Sequence, residues 1–355
     1  MFNSCVFRAL AYVCGLLTGV LFQLTCAVLP SYGQCRYWCR EEYNGQTTMN
    51  SFRRTLFGEF VLPGLLGLRV AVGLAVLAIL SPGANAQTTW RGAEGGNWSD
   101  GLNWTHGEPT SSLGAVLDNG ARVILNQPGE QCAYLYLSNT AGSTDLLSIP
   151  SGGLTADANL YVGVSGNGTL QVTSGGQVAN IHGYIGQQIN STGNVHVNGT
   201  GSGWTNTGDL YVGDAGSGTL WITNGGQVSN RYGTLAQNGG STGNVTVEGT
   251  GSTWTNSSNL YVGAAGNGTL QVTSGGQVAN IHGYIGQQIN STGNVHVNGT
   301  GSGWTNAGDL YVGDAGFGTL TISGGGQVSS SKGHAGFYSG DRKSTRLNSS
   351  HEWIS

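Results

Sequence analysis

The chain has 355 residues, of which 64 are glycine and 8% are charged, and its formal net charge is −4 at pH 7. Nucleic-acid binding depends on clusters of basic side chains, and disorder driven by self-repulsion needs a high net charge, so this composition argues against both. A chain poor in charge and rich in Gly, Ser, Thr and Asn is typical of an extracellular, fibre-like domain.

Residues 1–48 differ from the rest of the chain and hold five of its six cysteines. The apolar run Ala9–Leu29 is long enough to span a membrane, which would make it an anchor or a first signal sequence. Alternatively this segment is untranslated upstream sequence, which we favour because Met49 opens a complete secretory signal. Cys35 and Cys39 lack the second pair of ligands that a zinc site needs.

Residues 49–86 follow the pattern of a secretory signal peptide. Paired arginines precede an apolar run that ends at a small-x-small cleavage motif: Arg53, Arg54, Val70–Leu80 and Ala84–Ala86. We therefore expect export, and a mature chain that is secreted or held at the cell surface. Left uncleaved, Val61–Leu80 would serve as a membrane anchor, although Arg69 within it weakens that interpretation.

Residues 87–158 open with three tryptophans set among Gly, Asn and Asp: Trp90, Trp98 and Trp104. We expect these side chains to close the end of the repeat domain that follows, because terminal units of a repeat structure need a cap. The alternative is a glycan contact, in which exposed indoles stack on sugar rings. Short β-prone runs come next and predict irregular coils of the same domain: Arg122–Leu125, Ala133–Leu137 and Leu146–Ile149.

Residues 159–340 repeat with a step of 50, as the Leu-Tyr-Val-Gly motifs at Leu160, Leu210, Leu260 and Leu310 show. Each unit divides into two related turns of about 25 residues. Tyr161–Gly163 resembles Tyr184–Gly186, Gly168–Thr173 resembles Gly193–Asn198, and Gln177-Val178 resembles Gly203-Trp204. Three short alternating runs per turn predict an all-β fold, a parallel β-helix (β-solenoid).

The alternation also predicts which side chains face inward. We expect Leu, Val, Ile and Tyr to stack into a continuous core, and Thr, Gln, Asn and Ser to face solvent. The repeated tryptophans Trp204, Trp254 and Trp304 are expected in the core rather than in a surface ladder. Gly166–Asn206 recurs unchanged as Gly266–Asn306, through recent duplication or through misassembly of a repetitive gene.

The repeat resembles a known bacterial family. Leu-Tyr-Val-Gly-x-x-Gly-x-Gly-Thr-Leu is followed by Gly-Gly-Gln-Val, Ser-Thr-Gly-Asn-Val and Gly-Thr-Gly-Ser-x-Trp-Thr-Asn. This pattern, from Asn159 to about Ser329, is similar to a repeat shared by autotransporter (type V secretion) passengers and PEP-CTERM surface proteins. The resemblance implies a secreted or surface-displayed β-helix, associated with the cell outer membrane, and does not imply an enzyme.

Residues 341–355 break the repeat and raise the local charge. They resemble one reading frame of a common sequencing-library adaptor, and the alternative is a genuine basic tail. On the adaptor interpretation the natural chain continues beyond Gly340. Its missing part would identify the export route, as a β-barrel in an autotransporter or as a Pro-Glu-Pro motif with a membrane helix in a PEP-CTERM protein.

Residues that carry out chemistry are sparse in the repeats. The aspartates Asp209, Asp214, Asp309 and Asp314 fit turn positions and are too few for calcium. The histidines His182, His196, His282 and His296 are too far apart, or lack a third ligand, for a metal site. Glu248 is the only glutamate in the repeats, which argues against paired catalytic carboxylates. We therefore predict no catalytic residue, no cofactor and no metal.

Two functional hypotheses follow. The first is a non-enzymatic secreted or cell-surface β-helix, an autotransporter-passenger-like stalk or adhesin, present here as a fragment. The second is a carbohydrate-binding or carbohydrate-active β-helix of the lyase or hydrolase kind. Expected partners are a surface glycan or a host or cell-surface ligand, with no nucleic acid. Membrane association would come through the signal or through a missing C-terminal barrel, and an uncapped end would favour end-to-end self-association.

Overall fold

A computed structural model describes residues 25–31, 34–43, 46–51, 86–336 and 346–347. The chain divides into two compact units, Met1–Ile79 and Leu80–Ser355. The described strands of the first unit form one antiparallel sheet: Thr25–Ser31, Gln34–Tyr43 and Gln46–Ser51. Apart from these strands, the predicted upstream segment 1–48 lies outside the described residues.

Nearly all of the predicted signal peptide 49–86 and of the predicted tail 341–355 also lies outside the described residues. Within the part of the chain that is described, no helix has the length and apolar character needed to cross a membrane. The one helix found there is a single 3₁₀ turn, Gly101–Asn103.

The described strands of the second unit form three long parallel sheets, here called A, B and C. Sheet A has 11 strands: Gly96–Asn97, Arg122–Ile124, Thr144–Ile149, Asn167–Thr173, Thr192–Asn198, Ser217–Thr223, Thr242–Glu248, Asn267–Thr273, Thr292–Asn298, Phe317–Ser323 and Arg346–Leu347. Sheet B has nine: Glu130–Cys132, Gly153–Ala156, Gln177–Asn180, Gly203–Asn206, Gln227–Asn230, Thr253–Asn256, Gln277–Asn280, Gly303–Asn306 and Gln327–Ser329. Sheet C has 11: Gln87–Thr89, Gly114–Leu117, Leu135–Leu137, Leu160–Val162, Gly183–Ile185, Leu210–Val212, Gly233–Leu235, Leu260–Val262, Gly283–Ile285, Leu310–Val312 and Gly333–Ala335.

Each turn of the chain passes through sheets C, A and B in that order, and about ten coils of about 25 residues stack on one another. The pairing confirms the register expected from the repeats, since Tyr161 pairs with Tyr184 and Val178 pairs with Trp204. The predicted fold class, an all-β parallel β-helix, is therefore confirmed. At ~4.8 Å between neighbouring strands, ten coils make a stack about 48 Å long.

The core fills the space between the three sheets. Alternate residues of each strand point inward, so Leu160 and Val162 of sheet C and Leu170 and Val172 of sheet A are fully buried. Because the same positions are apolar in every coil, the inner side chains form one continuous cluster from Trp90 to Leu320. The irregular runs between residues 116 and 154 belong to this cluster, as the sequence predicted.

The tyrosines of sheet C correct one expectation, because they lie on the outer face and not in the core. In the strand Leu160–Val162 the first and last residues are buried, and Tyr161 between them is partly exposed. With only three residues per strand, the alternation can place either the two aliphatic side chains or the single tyrosine inside. Two aliphatic side chains bury more apolar surface without a hydroxyl that needs a partner.

A glycine ends each Leu-Tyr-Val strand because the next coil passes close to it. Gly163 has a φ of +73°, and a β-carbon there would lie 2.2 Å from the carbonyl oxygen of Thr192. The left-handed backbone turns the chain from sheet C into sheet A, and the missing side chain lets the neighbouring coil approach. The fourth residue of each motif therefore sets the corner of the solenoid.

Candidate functional site

The three tryptophans near the start of the solenoid pack against one another. Trp98 and Trp104 are fully buried and Trp90 is 6% exposed. The Trp104 ring makes edge-to-face contacts with both others, at centroid distances of 5.2 Å to Trp90 and 4.8 Å to Trp98. The Trp104 indole N–H also donates to the carbonyl oxygen of Trp98 at 2.8 Å. This arrangement favours the cap over a sugar platform, and a glycan contact by these residues stays a prediction.

The repeated tryptophans Trp204, Trp254 and Trp304 lie in the core, as predicted, with at most 1% of each side chain exposed. Each indole N–H donates to a buried asparagine one coil earlier. For Trp204 the acceptor is Oδ1 of Asn180, at 2.6 Å, and Nδ2 of Asn180 in turn donates to Oδ1 of Asn206 at 2.7 Å. These asparagines face inward, although the sequence predicted asparagine on the outer face.

The histidines and aspartates of the repeats are not brought together into a metal site. His182 accepts a hydrogen bond at Nδ1 from the backbone N–H of Asp209, at 3.0 Å, whereas His196 lies on sheet A. Asp209 and Asp214 lie in corners at the two ends of one sheet C strand, as expected of turn aspartates. Among the described residues, no group of three or more His, Cys, Asp or Glu could hold a metal ion.

Two glutamates near the cap interact, Glu108 and Glu130, and no motif in the sequence indicates this pairing. Burial, a hydrogen bond with Glu130 and the charge of that residue together raise the pKa of Glu108 to about 7. Glu130 also accepts a hydrogen bond from the Ser99 hydroxyl at 2.5 Å. The pair joins the loop after the 3₁₀ turn to the first strand of sheet B, so this contact depends on pH.

The outward tyrosines form ladders along sheet C. Ring centroids lie 4.8 Å apart between Tyr161 and Tyr184 and 5.0 Å apart between Tyr184 and Tyr211, with interplanar angles of 11° and 14°. A second ladder runs through Tyr261, Tyr284, Tyr311 and His334. Stacked rings cover one another's faces, so a ladder presents ring edges and hydroxyls to solvent. This geometry favours a stabilising role over a binding role for the ladders.

The outer face of sheet A is the broadest regular surface of the solenoid. The seven strands from Asn167–Thr173 to Phe317–Ser323 have seven residues each, and alternate residues point outward. These outward positions carry mainly Thr, Asn and Gln, and Glu248 is the only Asp, Glu, Lys or Arg among them. Such a face offers amide and hydroxyl groups in straight rows, one row per position along the strand.

Trp221 interrupts this polar face, and the sequence reasoning missed it. The corresponding residues of the other units are Gln171, Gln271 and Thr321. Trp221 is partly exposed, and its ring stacks on His196 of the preceding coil, with centroids 4.2 Å apart and an interplanar angle of 14°. The sequence does contain a clue. Strands of equal length carry Gln171, Trp221 and Gln271 at the same outward position, so Trp221 stands out when the units are aligned.

Comparisons with known proteins identify no relative. No family model matches the chain, and neither the curated proteins nor the solved structures gave a match. The resemblance to autotransporter passengers and PEP-CTERM surface proteins therefore depends on the repeat motifs alone. The geometry of the solenoid is the basis for the functional proposals that follow.

Proposed function

We propose that this chain is a non-enzymatic β-solenoid that works outside the bacterial cell, as the stalk or adhesin-like passenger of a surface protein. The observation that carries the proposal is the continuity of sheets A, B and C, whose strands pair in register from the cap to the last described coils. A structure built this way holds its outer faces at fixed positions over many coils, as a display scaffold must.

Two further features support a scaffold. The backbone hydrogen bonds between coils run along the axis of the stack, so a pull along that axis loads many of them together. The core is continuous, and each repeated indole is fixed by a buried asparagine, as Trp204 is by Asn180. Both features resist local unfolding under shear or proteolysis, which a chain outside the cell meets.

The sequence supports the extracellular setting. Residues 49–86 have the pattern of a signal peptide, and the repeats resemble autotransporter and PEP-CTERM proteins of the bacterial surface. The scarcity of charge on the outer strands is compatible with a surface glycan or protein partner and argues against nucleic acid. A membrane link through an uncleaved signal belongs to the same proposal.

The proposal is tested by expressing the full chain in a Gram-negative host and locating it. We expect an exported protein whose N-terminus is Gln87, measured by intact mass and N-terminal sequencing. The control replaces Ala84 and Ala86 with Arg, which should block cleavage and leave a larger product in the membrane fraction. A wild-type chain that stays in the cytoplasm with its N-terminus uncleaved would contradict the extracellular scaffold.

A further inference from the structure

Among the described residues, an aromatic ring stacks on Trp221 from one neighbouring strand only. Its partners on the two neighbouring strands of sheet A are His196 and Thr246. The His196 ring covers one face of the indole at a centroid distance of 4.2 Å. The opposite face is turned toward Thr246, whose side chain is too small to cover an indole. Trp221 is partly exposed because it points outward from sheet A, whereas the tryptophans of the core point inward and are buried.

The other face of the Trp221 ring borders a notch on sheet A, which has Thr246 as its floor and Gln271 as its second wall. Beyond Thr246 in the same row lies Gln271, which is exposed and stands two coils, or about 9.6 Å, from Trp221. A flat group that contacts both Trp221 and Gln271 needs these two side chains to be about 7–8 Å apart. The space between them therefore admits one ring. Asn244 and Glu248 flank Thr246 along its own strand, each about 7 Å away.

The notch has the chemistry of a sugar site. A pyranose ring has an apolar C–H face and carries hydroxyls around its edge. The C–H face matches the indole of Trp221, which offers a large and rigid apolar contact. The hydroxyls match the carboxylate of Glu248, which only accepts hydrogen bonds, and the amide of Asn244, which both donates and accepts.

We propose that Trp221 is the centre of a binding site for a neutral polysaccharide lying on the outer face of sheet A. An acidic polysaccharide or a phosphate group would find no Lys or Arg at the outward positions of the seven long strands, and would meet the negative charge of Glu248. Burial lowers the pKa of His196, which leaves that imidazole uncharged at neutral pH. A neutral chain is therefore the occupant that the charges favour.

The fold itself does not require an indole at this position. The corresponding strands carry Gln171, Gln271 and Thr321 and form the same seven-residue strands of sheet A. The substitution Trp221→Gln therefore turns the second unit into a copy of its neighbours at this point. A loss of binding in that variant would come from the missing ring and not from a damaged solenoid.

This proposal adds a ligand to the scaffold proposed above, and it rests on that function only for the extracellular setting. Binding is measured on purified chain, so its result is separate from the export test. A correctly exported scaffold that fails to bind would overturn the sugar site alone. A cytoplasmic chain that binds would overturn the scaffold's location alone.

The experiment is affinity electrophoresis of the purified full chain in gels containing hydroxyethylcellulose, xyloglucan, galactomannan or dextran, with alginate as the acidic comparison. We expect at least one neutral polymer to retard the wild-type chain and the affinity to fall at least tenfold in Trp221→Gln. Gln171→Ala, two coils away from Trp221 on the far side of His196, is the matched control and should bind like wild type. Circular dichroism and the thermal midpoint should be the same for all three proteins.

A second measurement places the ligand on the ring. Among the tryptophans of residues 86–336, Trp221 is the one that is partly exposed, so iodide should quench emission that is missing in Trp221→Gln, and the bound polymer should protect it. Equal retardation of wild type and Trp221→Gln would overturn the proposal. So would the absence of retardation by all four neutral polymers, or stronger retardation by alginate than by any of them.

Discussion

Asn180 shows how a polar side chain is held inside this apolar core. It is 4% exposed, accepts from the Trp204 indole N–H and donates to Asn206, so both ends of its amide are paired. The same arrangement recurs at Asn230 and Asn280. Because a buried polar group is costly when its partners are absent, each of these amides fixes the position of one indole and of one neighbouring coil.

The first prediction concerns this amide. Asn180→Ala leaves the Trp204 N–H and Oδ1 of Asn206 without their partner, and each lost partner costs about 1–3 kcal/mol. We expect the free energy of unfolding to fall by about 2–4 kcal/mol, measured by guanidinium denaturation. The control is Asn194→Ala on the outer face of sheet A, which should change it by less than about 0.5 kcal/mol. Equal losses in the two variants would contradict the role of the buried amide.

The second prediction concerns pH. Because the pKa of Glu108 is raised to about 7 in the folded chain, the folded state binds a proton that the unfolded state releases near pH 4.5. This contribution to stability is fully present below pH 4.5 and is lost as the pH rises through about 7. Thermal midpoints across this range should therefore decline less in Glu108→Gln than in wild type.

At the scale of the element, the corner after each sheet C strand is set by one glycine. Gly163→Ala adds both a left-handed strain and a 2.2 Å contact with the Thr192 carbonyl oxygen, which belongs to the backbone and cannot rotate away. We expect a loss of more than about 3 kcal/mol in the free energy of unfolding, or failure to fold. Gly175 is the matched control, because its φ is +94° with nothing within 4 Å of an added β-carbon.

In the Gly175→Ala control only the backbone strain remains, and the cost should be about 1–2 kcal/mol. Far-UV circular dichroism establishes whether each variant folds, and denaturation gives the free energies. If both alanine variants cost the same, the close approach of the neighbouring coil contributes nothing. The corner would then depend on backbone conformation alone.

The elements and their register could be predicted from the sequence because both depend on local periodicity. Alternation predicted the strands, and the likeness between the two turns of about 25 residues in each unit predicted which strand pairs with which. The side chosen by Tyr161 could not be predicted, since either face satisfies the alternation in a three-residue strand. The inward Asn180 was missed because its partner, Trp204, lies one coil away. Trp221 was missed because it departs from the repeat, in which the corresponding residues are Gln171, Gln271 and Thr321.

The tyrosine ladder provides the fourth prediction. Burial first, and then the neighbouring rings Tyr161 and Tyr211, raise the pKa of Tyr184 to about 12. Hydrogen bonds to Ser258 and Arg231 lower the pKa of the partly exposed Tyr232. Absorbance at the phenolate band should therefore show a titration near pH 12 that disappears in Tyr184→Phe. Tyr232→Phe should instead remove a titration below the usual tyrosine value of about 10.

The ladder also affects stability at high pH. Tyr184 keeps its proton in the folded chain to a higher pH than an exposed tyrosine does, so its contribution is present below about 10 and is lost as the pH rises through about 12. Alkaline unfolding should begin at a higher pH in Tyr184→Phe, which has no hydroxyl to ionise. An unchanged onset would mean that other groups control alkaline unfolding.

At the scale of the whole solenoid, each coil contacts only its neighbours. The stability of a coil therefore depends on its distance from an end as well as on its own residues. The valine of the Gly-Gly-Gln-Val motif shows this effect of position. Val178, Val228 and Val278 are at most 2% exposed, whereas Val328, in the last strand of sheet B, is only partly buried. The described coils nearest the C-terminal end should open most often.

The identical segments Gly166–Asn206 and Gly266–Asn306 allow this dependence to be measured without a mutation. Peptides from the two copies have the same mass and the same intrinsic exchange rates, so any difference in deuterium uptake comes from position. We expect hydrogen exchange followed by mass spectrometry to show two isotope envelopes of equal intensity for each shared peptide, the heavier from the second copy. Equal intensity at all times separates this result from cooperative opening, in which one envelope grows as the other shrinks. A single envelope throughout would show that the solenoid opens as one cooperative unit, and the nearest-neighbour description would then be wrong for this protein.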